Sequence, residues 1–213
     1  MKPLFSSVFR YAGWLAAGLC AIATLGFATM NDGYSHAQHP PALLGAKAMP
    51  HAFAYNLLAF VVPGLLVAWI ALRLRERLPA AAGWPARIGA QLMLLSALAF
   101  VAQGLLPLDL EDLEGAVSSR HAAAWMLWWI AFGAGGALLA LGLRRLPPWT
   151  SFAATTLLAA AMAPMFALFV SQLLPAGLAQ RIAFAIWFAW AIGAGYVTRS
   201  AASASGSSPT ASR

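Results

Sequence analysis

Six long apolar runs, their cores free of Asp, Glu, Lys and Arg, constrain this chain more than any other feature. They cover about Tyr11–Met30, His51–Leu72, Arg87–Leu106, His121–Leu143, Thr150–Leu174 and Gln180–Thr198. A helix needs about 20 mainly apolar residues to cross a bilayer's hydrocarbon core, and each run meets that length. In lipid only helices and closed barrels satisfy their own backbone groups. Barrel strands would read as short alternating segments, whereas these runs are continuous and rich in Leu and Ala. Hydrophobic residues make up 62% of the chain and charged residues 9%. That leaves too little polar surface to cover a soluble core. The expected fold is all-α: an integral membrane bundle of six transmembrane helices.

The charges between the runs sort by sign. Lys2, Arg10, Arg73, Arg75, Arg77, Arg87, Arg144, Arg145, Arg199 and Arg213 fall on one side, with Glu76 as the one acid there. Lys47, Arg120 and Arg181 fall on the other, with Asp32, Asp109, Glu111, Asp112 and Glu114. The excess of Arg and Lys marks the first side as cytoplasmic and carries both termini with it. The net charge of +7 is then a topology signal facing anionic lipid and gives no reason to expect nucleic-acid binding. The expected location is a membrane that the chain crosses several times. The run from Tyr11 to Met30 exceeds a signal-peptide core and lacks a good small-x-small site, so cleavage is not expected. Cys20, the single cysteine, reads as a small packing residue.

Residues 1–199 form one membrane domain in this reading, and residues 200–213, rich in Ser and Ala, form a disordered cytoplasmic tail. The cytoplasmic connections are short and punctuated by Pro79, Pro85, Pro147 and Pro148. Both long loops, Asn31–Pro50 and Pro107–Arg120, lie outside. No internal repeat suggests an inverted-repeat transporter. Small residues such as Gly13, Ala17, Gly18, Gly133, Gly135, Gly136, Gly193 and Gly195 suit close helix packing, within the bundle or in a dimer; the sequence leaves the oligomeric state open. Trp125, Trp128, Trp129, Trp149, Trp187 and Trp190 sit toward span ends, where interface anchoring accounts for them. Pro63 and Pro164 interrupt their spans.

All four histidines, His36, His39, His51 and His121, belong to the outer face, with the five outer acids and the amides Asn56, Gln103, Gln172 and Gln180. His51 and Tyr55 are four apart and share a helical face. Asn56 sits at the hydrocarbon edge and requires a partner. Arg181 requires a carboxylate or a carbonyl, and Asp109 is the first choice. Three readings compete for this constellation. A divalent metal such as zinc would draw its ligands from His36, His39, His51, His121, Asp109 and Asp112. A metal-free acid–base pair would set a histidine against a carboxylate, with His121 and Asp109 as the catalytic candidates. A structural network would use the same side chains to cap helix ends and tie down loops. Ligand-binding candidates are Asn56, His51, Gln180 and Arg181. No zinc-protease, calcium-loop or nucleotide-loop motif is present, and no span core carries the charged group that an ion pump requires.

Several short motifs stand in order along the chain: Gly33-Tyr34-Ser35-His36, Leu44-Gly45-Ala46, Pro50, Asn56, Gly64, Leu106-Pro107-Leu108-Asp109, His121, and Gly177-Leu178-Ala179-Gln180-Arg181. Together they resemble a family of bacterial six-span membrane proteins known as domain of unknown function nine-nine-eight, over about Tyr11–Thr198. The family pattern has an acid shortly before Leu44, where this chain has Pro41-Ala42-Leu43. The resemblance implies the six-span fold and a multi-pass location in a bacterial inner membrane, points to the same outer face, and confers no activity. The functional expectation is an outer polar cluster of His, Asp, Asn and Arg that binds a small or lipid-like ligand. The alternatives are a metal-assisted or histidine-dependent membrane hydrolase or transferase, and a permease-like or scaffold subunit.

Overall fold

Each apolar run becomes one long helix in the computed structural model, which describes residues 2–206, with side chains at 11–170 and 172–198. The helices are α1 (Lys2–Ala28), α2 (Ala52–Arg77), α3 (Gly83–Leu105), α4 (Ala116–Leu143), α5 (Thr150–Leu168) and α6 (Ala176–Gly206). All six are long and apolar enough to span a membrane, and no strand occurs among the described residues. The fold class read from the sequence is therefore correct. α5 ends at Leu168, short of the expected Leu174, and a 3-10 turn over Val170–Gln172 follows. Pro175 disfavours helical backbone at the residue before it, which helps end the segment. α6 stays helical past Thr198 to Gly206. Residues 207–213 of the expected tail lie outside the described residues.

α2 is locally unwound. Leu57–Val61 forms a π turn just before Pro63. Proline has no N–H and its ring crowds the carbonyl four residues earlier, so a wider turn relieves the clash. Gly104 of α3 lies against this turn: a Cβ there would sit 2.8 Å from the Phe60 Cβ and 3.0 Å from the Asn56 carbonyl oxygen.

The helices pack as a ring in chain order. α1 touches α2 and α6, α5 bridges α4 and α6, and α6 also reaches α2. Glycines set the close approaches. A Cβ on Gly89 of α3 would lie 2.5 Å from the Leu139 backbone nitrogen and 2.7 Å from the Gly135 carbonyl of α4. Small faces of this kind let helix backbones meet in lipid, where dispersion and short polar contacts replace the hydrophobic effect. Gly135 and Gly136 are thus used inside the bundle, while Gly18, Gly193 and Gly195 face open space.

The core is aromatic, and this corrects the reading of the tryptophans. Trp128 and Trp187 are fully buried, Trp149 and Trp190 nearly so. Phe100 of α3 stacks on Trp187 at 4.6 Å between ring centroids, and Phe184 meets Trp128 edge-on at 5.2 Å. Large rings fill the space left where the surrounding faces are Ala and Gly, and such pairs favour stacked or edge geometry. The exposed tryptophans are Trp14 and Trp84 instead. Two buried hydroxyls bind helices together: Ser96 donates to the Trp128 carbonyl at 2.9 Å, and Thr156 accepts from the Trp190 indole at 3.2 Å.

Candidate functional site

The loop between α1 and α2 is the organising element of the face opposite the termini. Its Lys47 amide donates to the Leu108 carbonyl of the other long loop at 2.9 Å, and its Ala37 carbonyl accepts from the Leu178 amide at 2.9 Å. The second contact requires glycine at 177, because a Cβ there would fall 2.5 Å from the His39 carbonyl oxygen. This loop therefore covers the ends of several helices. The polar residues gather beneath it in two groups rather than one.

Asn56, Asp109 and His121 make up the first group. The buried Asn56 amide donates to the Gly45 carbonyl at 2.8 Å, which joins α2 to the loop. Asp109 pairs with Lys47 at 3.2 Å. That contact, with the Glu111 amide, holds the Asp109 carboxyl below the usual carboxylate range. The Ser118 hydroxyl accepts from the Asp109 amide and lies 2.9 Å from the Asp112 carbonyl, so the acidic loop is tied to the first turn of α4. His121, buried, contacts the Leu106 carbonyl through Nδ1 at 2.8 Å. The terminal carbonyls of a helix have no partner within it, and His121 satisfies one beyond the end of α3.

Arg181 organises the second group. Its Nη1 donates to the carbonyls of His39 and Gly177 at 2.9 and 2.8 Å, and its Nη2 to the Tyr34 hydroxyl at 2.7 Å and the His36 Nδ1 at 3.3 Å. The expected Asp109–Arg181 pair does not form. Asp109 is taken by Lys47, while the first loop brings carbonyls and a phenol to Arg181, and these satisfy its geometry without a carboxylate. Tyr34 is the residue the sequence reading missed. Its hydroxyl also contacts the His39 and Pro40 carbonyls, each at 3.2 Å, and burial pushes its phenol above the usual value against the pull of Arg181. The ordered run Gly33-Tyr34-Ser35-His36 was the signal that could have found it.

Of the remaining candidates, His51 stands apart from these groups, while His39 and Gln180 adjoin the second. His51 caps α2 from a left-handed backbone conformation, φ 60°, exposed beside the Phe27 ring. His39 accepts the Ser35 amide on Nδ1 at 3.0 Å. Gln180 is partly buried next to Arg181. Among the described residues no three side chains of His, Cys, Asp or Glu converge in a way that could hold a metal ion. His36, His39, His51, His121, Asp109 and Asp112 are distributed over both groups and the loops.

Below Arg181 a groove opens between α1 and α6. The two helices approach closely at Gly13, in the half of α1 toward its N-terminus, where a Cβ would be 2.8 Å from the Ile192 Cα. Away from that crossing they leave a cavity of about 710 Å³. Its walls are Trp14, Ala17, Ala21 and Leu25 from α1 and Phe184, Ala185, Phe188 and Ile192 from α6, with Cys20 and Thr24 contributing small polar atoms. Pro41, His36 and Arg181 close its loop end. The α6 residues recur at three- and four-residue spacing, one continuous face of the helix. A smaller cavity of about 270 Å³ lies beside Asn56 and Lys47, against the π turn.

A ring of six apolar helices, roofed on one face by a hydrogen-bonded loop, defines a polytopic helical membrane protein. The profile of the family described as Protein of unknown function (DUF998) matches residues 14–197, and the chain belongs to that family. The match reaches into all six helices and takes in both polar groups. No curated protein and no solved structure matches the chain.

Proposed function

We propose that this chain is a multi-pass protein of the bacterial inner membrane that binds a lipid-like molecule in the groove between α1 and α6. The face with the two long loops is taken as the outer face, in keeping with the partition of basic residues. The observation that carries the reading is the groove itself. It is long and apolar along its walls, and its polar groups concentrate at the loop end, the distribution an amphiphile requires. Its volume lies within the range typical of ligand pockets. Binding is favoured over the hydrolase or transferase reading because His121 and Asp109 are separately engaged, one on a helix-end carbonyl and the other on Lys47.

Lipid retained by the purified full chain tests the proposal. Native mass spectrometry of the protein in mild detergent should show bound lipid. Ala185→Phe and Ala21→Phe, which place rings on two exposed groove walls, should remove most of it without unfolding the bundle. Equal retention in wild type and both folded variants would refute the groove as the site.

A further inference from the structure

We infer that the groove is specific for a bilayer lipid with an anionic phosphate head, and that Arg181 reads that head. The inference rests on the lipid-binding reading above and adds the chemistry of the head. Three observations carry it.

The first is charge balance. Arg181 is partly buried, and among the described residues it forms no salt bridge. Its bonded partners are two carbonyls, a phenol and an imidazole, none of them a carboxylate. The other lysine and arginine side chains among the described residues are exposed, and two of them are paired, Lys47 with Asp109 and Arg73 with Glu76. Neutral acceptors orient a guanidinium but leave its charge uncompensated, and a partly buried cation gains most from an anion.

The second is the donor inventory. A guanidinium carries five N–H groups in a fixed fork. The four on Nη1 and Nη2 match the four contacts, and among the described residues the Nε–H has no partner. The contact to His36 is the longest of the four, and His36 is exposed. A head-group oxygen that displaced His36 would gain a second N–H beside Nε. Two adjacent donors suit the paired oxygens of a phosphate.

The third is depth. From Arg181 to Ile192 the groove follows eleven residues of α6, about 16 Å at ~1.5 Å per residue. One leaflet's hydrocarbon is about 15 Å, half of the core thickness. A head at Arg181 therefore leaves its acyl chains lying along the groove over one leaflet, which identifies the occupant as a membrane lipid rather than a free anion.

The experiment compares two lipids with identical chains, dipalmitoyl-phosphatidylglycerol and dipalmitoylglycerol, added to delipidated full chain in neutral detergent, with bound lipid counted by native mass spectrometry. The expected result is a preference of about tenfold or more for the phosphate lipid, the range of a charge-assisted hydrogen bond at a partly buried site. Arg181→Gln should reduce that preference to near unity while dipalmitoylglycerol binding persists, and Arg181→Lys should retain part of it. Because Arg181 also holds the loop, the wild-type comparison tests the phosphate preference independently of any variant, and a preference that survived undiminished in Arg181→Gln would overturn the role of Arg181. Equal binding of both lipids to wild type, with both lost in Ala185→Phe, would overturn this inference and leave the groove reading standing. Binding of both lipids unchanged in Ala185→Phe would remove the groove reading and the inference together. Inorganic phosphate bound as tightly as the phosphate lipid would also overturn it.

Discussion

The contact between Asn56 and Gly45 makes a quantitative demand on the loop that roofs both polar groups. Asn56 is buried and its amide nitrogen donates to the Gly45 carbonyl at 2.8 Å. Gly45 is buried as well, and a Cβ on it would land on the Asn56 amide. Asn56→Ala leaves a buried carbonyl unpaired and should cost about 1–3 kcal/mol. Gly45→Ala forces the amide aside, breaking the same bond and straining the loop, at a similar cost of roughly 1–3 kcal/mol, less the ~0.4–1 kcal/mol that loss of unfolded-chain freedom returns. If the two costs were independent they would add. They share one bond and one volume, however, and in the double variant the methyl added at position 45 enters space the amide has left. The double variant should therefore resemble Asn56→Ala alone, with a coupling of about 1–2 kcal/mol, inside the range for residues in contact. Titration with SDS in mixed micelles, followed by tryptophan fluorescence, measures all four proteins on one scale. Single-variant costs that add to within about 0.5 kcal/mol would show that the amide and the glycine are not in contact and that the loop is held some other way.

Other consequences follow from the packing and the charges. Gly13→Leu should destabilise the protein by more than about 2 kcal/mol in the same titration, since its side chain meets the Ile192 backbone, whereas Gly193→Ala, in open space, should be neutral or up to ~1 kcal/mol stabilising; similar losses in both would contradict the α1–α6 crossing. The Lys47 contact and the Glu111 amide lower the folded-state pKa of Asp109. Its stabilisation is therefore present above the ordinary carboxylate pKa and lost as pH falls through the lowered one. Asp109→Asn should melt slightly below wild type at neutral pH and together with it in strong acid; a gap that widened on acidification would reverse the sign of this reasoning. For orientation, Asp112→Cys should react with an impermeant maleimide in intact cells and Glu76→Cys only after permeabilisation, while labelling of Glu76→Cys alone in intact cells would invert the topology.

The fold was legible because the bilayer imposes a strong local rule. Charge-free runs of fixed length are visible without any long-range information, and every run lies on one helix; the helices depart from the runs at the start of α1 and the end of α6, which continue beyond the apolar stretch, and where proline intervenes, at the π turn before Pro63 and at the end of α5. The tryptophans show where that rule stops. Their placement near span ends fits interface anchoring, but which face of a helix points inward depends on its neighbours, and here Ala- and Gly-rich faces leave room that Trp128 and Trp187 fill. The candidate site was legible in its residue types and its membrane face, and not in its pairings. Asn56, His121 and Arg181 each require a polar partner, and each has one. The partners are the carbonyls of Gly45, Leu106, His39 and Gly177. A carbonyl occurs at every position and carries no mark in a sequence, so a search for partners among side chains alone turns to acids and assigns Asp109 to Arg181. The physical outcome is the reverse. Neutral groups satisfy the geometry of Arg181 and leave its charge open, and on that open charge at the end of an apolar groove the proposed binding chemistry rests.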